Sequence, residues 1–313
     1  MSKYDCSLFP FERTDCVSIQ EVKQNAGWNI TAFDLPKTWE YSQGEGIIIA
    51  VLDTGVDLDH PDLNDNLVDG FNFIKPKKLP MDDPIGHGTH VAGVLVAENN
   101  EIGMVGVCPK AKVMPIKVLD SEGNGNMRDI AAAVRWATDH GADFLSMSLG
   151  APFPVQEVRK AIKYAHRKGV MTFVSAGNAG NTKDVFYPAA YPETIAVGAV
   201  DYSLRRASFS NTGKNLDFMA PGVDIYSTVP NSWYAKMSGT SMAQPFVCGV
   251  AALVKSFVKN HRPDISLNNI VDYRKLFMEH TIPVVDGNYD DPKFYQGFGI
   301  IDPRKFTESI TLK

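Results

Sequence analysis

No stretch of the chain approaches the ~18 consecutive apolar residues that a membrane-spanning helix requires. The apolar run at residues 246–254 stops at Lys255, and the N-terminus carries Lys3, Asp5, Glu12 and Arg13 where a secretory leader needs an apolar stretch. A cytoplasmic protein with no membrane partner is therefore expected. Excess positive charge is also missing: a net charge of −5 and a pI of about 5.8 leave no electrostatic footprint for nucleic acid. Cysteine is sparse as well. Cys6, Cys16, Cys108 and Cys248 show no C-x-x-C spacing, so free thiols are expected rather than a disulfide framework or a zinc site. With 313 residues, 44% of them hydrophobic, the chain can bury one large core plus extensions, and no second domain is evident.

What is present is a set of glycine-flanked polar residues at the ends of apolar segments. Gly-Thr-Ser241-Met-Ala opens the run at 246–254, which places a hydroxyl at the start of a buried helix. Free N–H groups and the positive dipole end there favour a developing anion. Pro245 is expected to fall within the first turn, where a missing N–H costs little. Taken alone, Ser241 reads as a helix N-cap, as most serines before helices do, sooner than as a nucleophile. Residues 47–55 form an apolar run ending in Asp53-Thr-Gly, as in a buried parallel strand with a carboxylate at its C-terminal tip. Ligands and catalytic groups collect at that edge of open α/β sheets. Gly-His87-Gly-Thr-His90-Val-Ala-Gly then places a histidine at another turn into an apolar helix. The chain order Asp, His, Ser differs from that of α/β-hydrolases and of chymotrypsin-like enzymes.

These motifs resemble those of subtilisin-type serine proteases, and the similarity runs from about residue 39 to about residue 259. The resemblance implies a doubly wound α/β fold, with a mostly parallel central sheet and helices on both faces. The strand and helix alternation at residues 112–118, 127–140, 144–150, 155–165 and 170–174 agrees. By the same resemblance Ser241 is the nucleophile, His87 the general base and then acid, and Asp53 the residue that orients His87. These are the roles of the family's own worked example. His90 reads as a structural helix residue. Asn178, in Ser-Ala-Gly-Asn after an apolar strand, is the side-chain donor to the oxyanion, beside the backbone N–H of Ser241.

The family's substrate cleft maps onto Gly123, Asn124 and Gly125 as one strand edge, with Leu119 and Met127 bordering an apolar subsite. Ser148, Leu149 and Gly150 form the other edge, and Ala176 and Gly177 a pocket wall. Phe186 stands where a small residue is common. If its ring points inward, a narrow pocket preferring small side chains over Phe or Tyr is expected. A structural calcium site is implied at Asp62, Asn100 and the carbonyls of Glu98, Ile102 and Met104, whose oxygen-only chemistry suits calcium. A further family ligand near the N-terminus has no counterpart placed by the motifs. A weaker cation site is expected at carbonyls around Ala189 and Tyr191, and the Tyr187-Pro188 bond is expected to be cis.

Only 46 residues precede the apolar run that ends in Asp53, too few for the long folded pro-domain of most subtilisins. Leu8-Phe-Pro-Phe11 instead resembles the Leu-Ile-Pro-Tyr element of intracellular subtilisins, where a short extension lies across the cleft. Residues 1–18 are thus expected to be an autoinhibitory extension that binds like substrate without placing a carbonyl at Ser241, and residues 19–313 the catalytic domain. From about residue 260 the resemblance thins into a C-terminal extension with helices near 267–279 and a tail at 289–298; in intracellular relatives such extensions serve dimerisation, so a homodimer is expected. Protein or peptide substrates follow from the protease reading. Two other classes compete: a peptide-binding pseudoprotease, and a calcium-binding structural protein that would leave the triad unexplained.

Overall fold

The structure, a computed structural model, describes residues 4–18, 23–81, 85–180, 183–285 and 290–311. Residues 1–3 of the extension, 181–182 of the loop before Phe186, and Tyr289 in the tail lie outside the described residues. In chain order, β1 (Asp5–Leu8) and β2 (Glu12–Ser18) precede α1 (Trp28–Thr31) and α2 (Leu35–Trp39). The core then alternates through β3 (Ile48–Asp53), β4 (Phe71–Asn72), α3 (His87–Val96), β5 (Lys112–Lys117), β6 (Asn124–Asn126), α4 (Met127–Asp139), β7 (Phe144–Met147), β8 (Leu149–Gly150), α5 (Gln156–Arg167), β9 (Met171–Ser175) and β10 (Ile195–Val200). Next come β11 (Phe218–Pro221), the hairpin of β12 (Ile225–Val229) and β13 (Trp233–Ser238), and the long helix α6 (Thr240–His261). The chain closes with α7 (Ile270–Glu279), β14 (Thr281–Ile282), α8 (Pro292–Gln296), β15 (Ile300–Ile301) and α9 (Pro303–Thr311).

Nine strands form the central sheet in the order β14-β15-β11-β10-β9-β7-β3-β5-β4, parallel throughout except for the β14–β15 pair. Every residue of β7, β9, β10 and β11 is buried. Because alternate side chains point to opposite faces, complete burial means that both faces are covered, as parallel sheets require. Helix α3 packs on α6 and α4 on α5, and these pairs supply the cover. The doubly wound, mostly parallel architecture expected from the sequence is the one observed.

Helix α6 is long and apolar enough, by length and composition, to cross a membrane, with a mean hydropathy of 1.4 over its best window. Most of it lies inside the fold, so it is a core helix. Pro245 is not in its first turn: it is the sixth residue, inside the helix. Its missing N–H would have bonded the carbonyl of Ser241. That carbonyl accepts instead from Ser148 Oγ at 3.1 Å, which repairs the lost bond from the neighbouring strand edge. Gln244 and Phe246, unusual beside the nucleophile motif, are both buried. Gln244 Oε1 accepts from Ser146 Oγ at 2.9 Å and Ser148 Oγ at 3.2 Å, and the Phe246 ring packs 5.2 Å from Phe33.

The segment beyond residue 260 is built into the sheet rather than appended to it. β15 pairs with β11 and β14 with β15, while the ring of Phe277 on α7 meets those of Phe218 on β11 and Phe306 on α9. Arg274 of α7 fastens this unit. Its guanidinium grips both oxygens of Asp217, each at 3.1 Å, and donates to the carbonyls of Pro192 and Thr194. Asp217 in turn accepts from the backbone N–H of Ala196 at 3.0 Å. Arg274→Ala would leave a nearly buried carboxylate without its cation. Removing one partner of such a pair is costly, but Arg274 is partly solvated, so a loss of about 2 kcal/mol is expected in urea denaturation. A change within error would mean that the aromatic contacts alone dock α7.

Candidate active site

Strand β3 delivers Asp53 to the C-terminal edge of the sheet, and α3 begins at His87. Asp53 Oδ1 lies 2.8 Å from His87 Nδ1 and also accepts the Thr54 N–H at 2.8 Å. Thr54 Oγ1 accepts the Gly88 N–H at 2.9 Å, which ties the strand end to the helix start and fixes the pair's separation. With Nδ1 donating to the carboxylate, Nε2 is the acceptor nitrogen. It is buried and has no hydrogen-bond partner among the described residues. Ser241, the second residue of α6, is also buried, and its Oγ reaches only the Ser148 carbonyl at a long 3.5 Å. The geometry therefore joins Asp53 to His87 but forms no bond from His87 to Ser241. His90, one turn on, is a strut to the hairpin: Nε2 donates to the carbonyls of Ile225 at 3.0 Å and Ala235 at 3.2 Å. Burial drives its pKa down to about 3, which keeps the ring neutral.

Asn178 follows β9 and is locked from one side. Its Oδ1 accepts from the Thr240 N–H at 2.9 Å and the Thr240 hydroxyl at 2.7 Å, which turns Nδ2 toward the cleft. Nδ2 donates to the carbonyl of Pro10 at 2.7 Å. The extension thus reaches the expected oxyanion donor with the Pro10 carbonyl.

Residues 5–8 enter the cleft as the middle strand of a three-stranded antiparallel sheet, β6-β1-β8. Asp5, Cys6 and Ser7 pair with Asn126, Gly125 and Asn124 on one side, while Ser7 and Leu8 pair with Gly150 and Leu149 on the other. The Leu8 N–H donates to the Gly123 carbonyl at 2.9 Å. Gly123 has φ +76°, and a Cβ there would lie 3.1 Å from the Leu8 side chain, so the close approach depends on glycine. Leu119 and Met127 are buried, with Leu119 packed against Gly125 beside the Cys6 sulfur. Burial, with help from Asp5 and Asp129, pushes the Cys6 thiol up to about 12.

Phe9 fills the pocket. It is only 5% exposed, and its ring would lie 2.7 Å from a Cβ at Gly150. Its ring centroid is 5.6 Å from that of Phe186, which itself lies along Gly177 and is pinned by a Phe186 N–H bond to the Ala176 carbonyl at 3.0 Å. The Phe186 ring does point inward. Even so, the Phe9 ring fits beside it, so an inward Phe186 leaves room for a phenylalanine. Ser148 contributes backbone to the cleft edge while its hydroxyl turns back to α6. Beyond Pro10, the Phe11 ring lies 5.0 Å from the His87 ring, and β2 pairs antiparallel with β13.

The expected cation loop also closes around Asp62. Asp62 Oδ2 accepts from the Met104 N–H at 3.0 Å and the Tyr234 hydroxyl at 3.2 Å, and Asn100 bonds the same carboxylate. Oδ1 is buried without a hydrogen-bond partner, and burial raises the carboxyl pKa to about 6. From near the N-terminus Gln24 reaches the same loop. Its Nε2 donates to the Glu98 carbonyl at 2.8 Å and the Met104 carbonyl at 3.3 Å, held by backbone bridges from Lys23 to Ile102 and Asn25 to Met104. A single glutamine in a segment without motif or periodicity carries no sequence signal of its own. Where the weaker cation site is expected, the carbonyls of Pro188, Ala189 and Tyr191 converge, each 2.8–3.1 Å from Thr194 Oγ1, whose single proton serves one of them at a time. The Tyr187-Pro188 bond is cis.

The profile of the subtilase family matches residues 44–299 of the chain. The chain is 45% identical over 225 residues to a thermophilic serine proteinase of Bacillus sp. strain AK1, covering 71% of the chain and 56% of that relative. It is 43% identical over 242 residues to subtilisin E of Bacillus subtilis strain 168, covering 75% and 62% respectively. An intracellular serine protease of Paenibacillus polymyxa is 40% identical over 251 residues, with 76% of the chain and 77% of the relative covered. The chain thus spans less than two thirds of the first two relatives.

If Phe9 anchors the extension, Phe9→Ala should loosen β1. Losing a buried phenyl ring is expected to cost about 2 kcal/mol of docking, near 30-fold in the opening equilibrium. Amide hydrogen exchange at residues 6–8 should accelerate accordingly. Unchanged protection would show that backbone pairing alone holds the strand.

Proposed function

Because the chain belongs to the subtilase family, we propose that it is a serine endopeptidase made in a blocked form. Asp53 holds the His87 ring with Nε2 as acceptor, His87 takes the proton of Ser241 during attack on a peptide carbonyl, and an acyl-enzyme forms and is hydrolysed. The Asn178 amide, with the Ser241 backbone N–H, stabilises the oxyanion. One observation carries the reading: a peptide strand lies between β6 and β8 with a backbone carbonyl already on the Asn178 amide.

The same contact supports the blocked state. The side chain in the pocket is that of Phe9, whereas the carbonyl on Asn178 belongs to Pro10, one residue further on. A substrate ready for cleavage presents both from one residue. The offset leaves the bond after Phe9 out of register, and Phe11 packs on the general base. Tethering makes this weak substrate-like contact effective, since the strand is present at millimolar effective concentration and is lost once cut free. Deleting residues 2–18 is therefore expected to raise peptide hydrolysis roughly tenfold or more. The trimmed chain should also cleave after Phe faster than after Ala, as the pocket seats Phe9. Equal activity of the two chains would remove the blocked state, and absence of hydrolysis in both would remove the protease reading.

Calcium is proposed at the Asp62 loop. The residues present fit it: Asp62 Oδ1 lacks a hydrogen-bond partner, the carbonyls of Glu98, Ile102 and Met104 and the Asn100 amide offer oxygen, and Gln24, whose Nε2 now donates to the Glu98 carbonyl, would offer its amide oxygen with the side-chain amide turned over. A calcium ion would neutralise the buried carboxylate and fasten the segment around Gln24 to the body. At a hundredfold over its dissociation constant it should add about 2.7 kcal/mol to stability. A Tm identical in calcium and in chelator would contradict this site.

A further inference from the structure

The blocked state uses a second surface that the cleft itself does not explain. Beyond Phe11 the extension continues as β2 and adds to the outer edge of the β12–β13 hairpin, giving the sheet order β12-β13-β2. Glu12, Arg13 and Thr14 pair with Ser238, Met237 and Lys236, and after a bulge Val17 and Ser18 pair with Tyr234 and Trp233. All side chains from Glu12 to Cys16 are exposed, so main-chain pairing holds the strand and side-chain burial does not. Such docking tolerates many sequences. One side-chain contact adds selectivity: Asp15, in the bulge at φ +52°, places its carboxylate 2.7 Å from Lys236 Nζ.

When β2 leaves, β13 keeps β12 on one side and exposes unpaired N–H and C=O groups on the other, a ready template for an extended chain. That edge runs directly on from the pocket that holds Phe9, on the side beyond the bond to be cut. Resting on the protease reading above, we infer that the outer edge of β13 is a docking strip for substrate polypeptide on the C-terminal side of the cleaved bond. It favours an acidic residue five positions after the residue in the pocket, because a cleavable substrate presents pocket side chain and carbonyl from one residue and Asp15 follows by five the Pro10 carbonyl held by Asn178. The preferred substrate is thus an extended protein segment at least eight residues long beyond the pocket residue, because Ser18, eight after Pro10, is the last residue paired with β13.

The test uses the chain lacking residues 2–18 and three internally quenched peptides sharing Ser-Leu-Phe before the bond. One ends two residues after it. The others continue for ten, with Asp or Lys five positions after Phe. Cleavage after Phe is checked by mass spectrometry. The long Asp peptide is expected to exceed the short one about tenfold in kcat/KM, mainly through KM, and the long Lys peptide a few-fold, as exposed ion pairs are weak. Lys236→Glu should invert the Asp-to-Lys ratio. Equal kcat/KM for short and long peptides would overturn the docking strip while leaving the protease reading intact, and no cleavage of any peptide would remove both. Dimerisation of the trimmed chain abolished by Lys236→Glu, without any dependence on peptide length, would assign the edge to a second copy and also overturn it.

Discussion

A gap one strand wide between β6 and β8 governs the rest of this structure. Both borders present main-chain donors and acceptors toward the gap, which ends beside Asp53, His87, Asn178 and Ser241. Unpaired strand edges are unfavourable, and the chain fills these with its own residues 5–8. Recognition by pairing is indifferent to most side chains, which suits a surface meant for peptides. Selectivity then falls to the pocket lined by Gly150, Gly177 and Phe186.

The residues proposed for catalysis were legible as candidates because each sits at an element boundary marked by glycine. Asp53, His87, Asn178 and Ser241 all lie where strand ends or helix starts meet, and the short motifs around them survive without knowledge of the tertiary fold. Contacts between distant segments were not legible. Gln24 reaches Glu98 across 74 residues, and Lys236 meets Asp15 across 221, and neither carries a local pattern. The role of Pro245 was misread because the helix start is set by Gly239, two residues before Ser241, and this counting needs the structure. The room beside Phe186 was not legible either, since it depends on Gly150, which yields to the Phe9 ring.

The extension and the body meet at three successive surfaces: the cleft strand β1, the Phe9-Pro10-Phe11 turn over the site, and β2 on the hairpin. Each is modest alone, and their linkage in one chain makes them cooperative. From Lys23 onward the chain is fastened to the Asp62 loop instead, so the boundary between blocking segment and body lies between these two anchors. The cation proposed there would hold the body's N-terminus in place after the blocking segment departs.

The central claim is that Ser241 is an activated nucleophile masked by residues 1–18. Intact mass after exposure to a fluorophosphonate, on the full chain, the trimmed chain and trimmed Ser241→Ala, tests it most directly. The account predicts one adduct on the trimmed chain, little on the full chain and none on the variant. An adduct on the variant, or none on the trimmed chain, would contradict it.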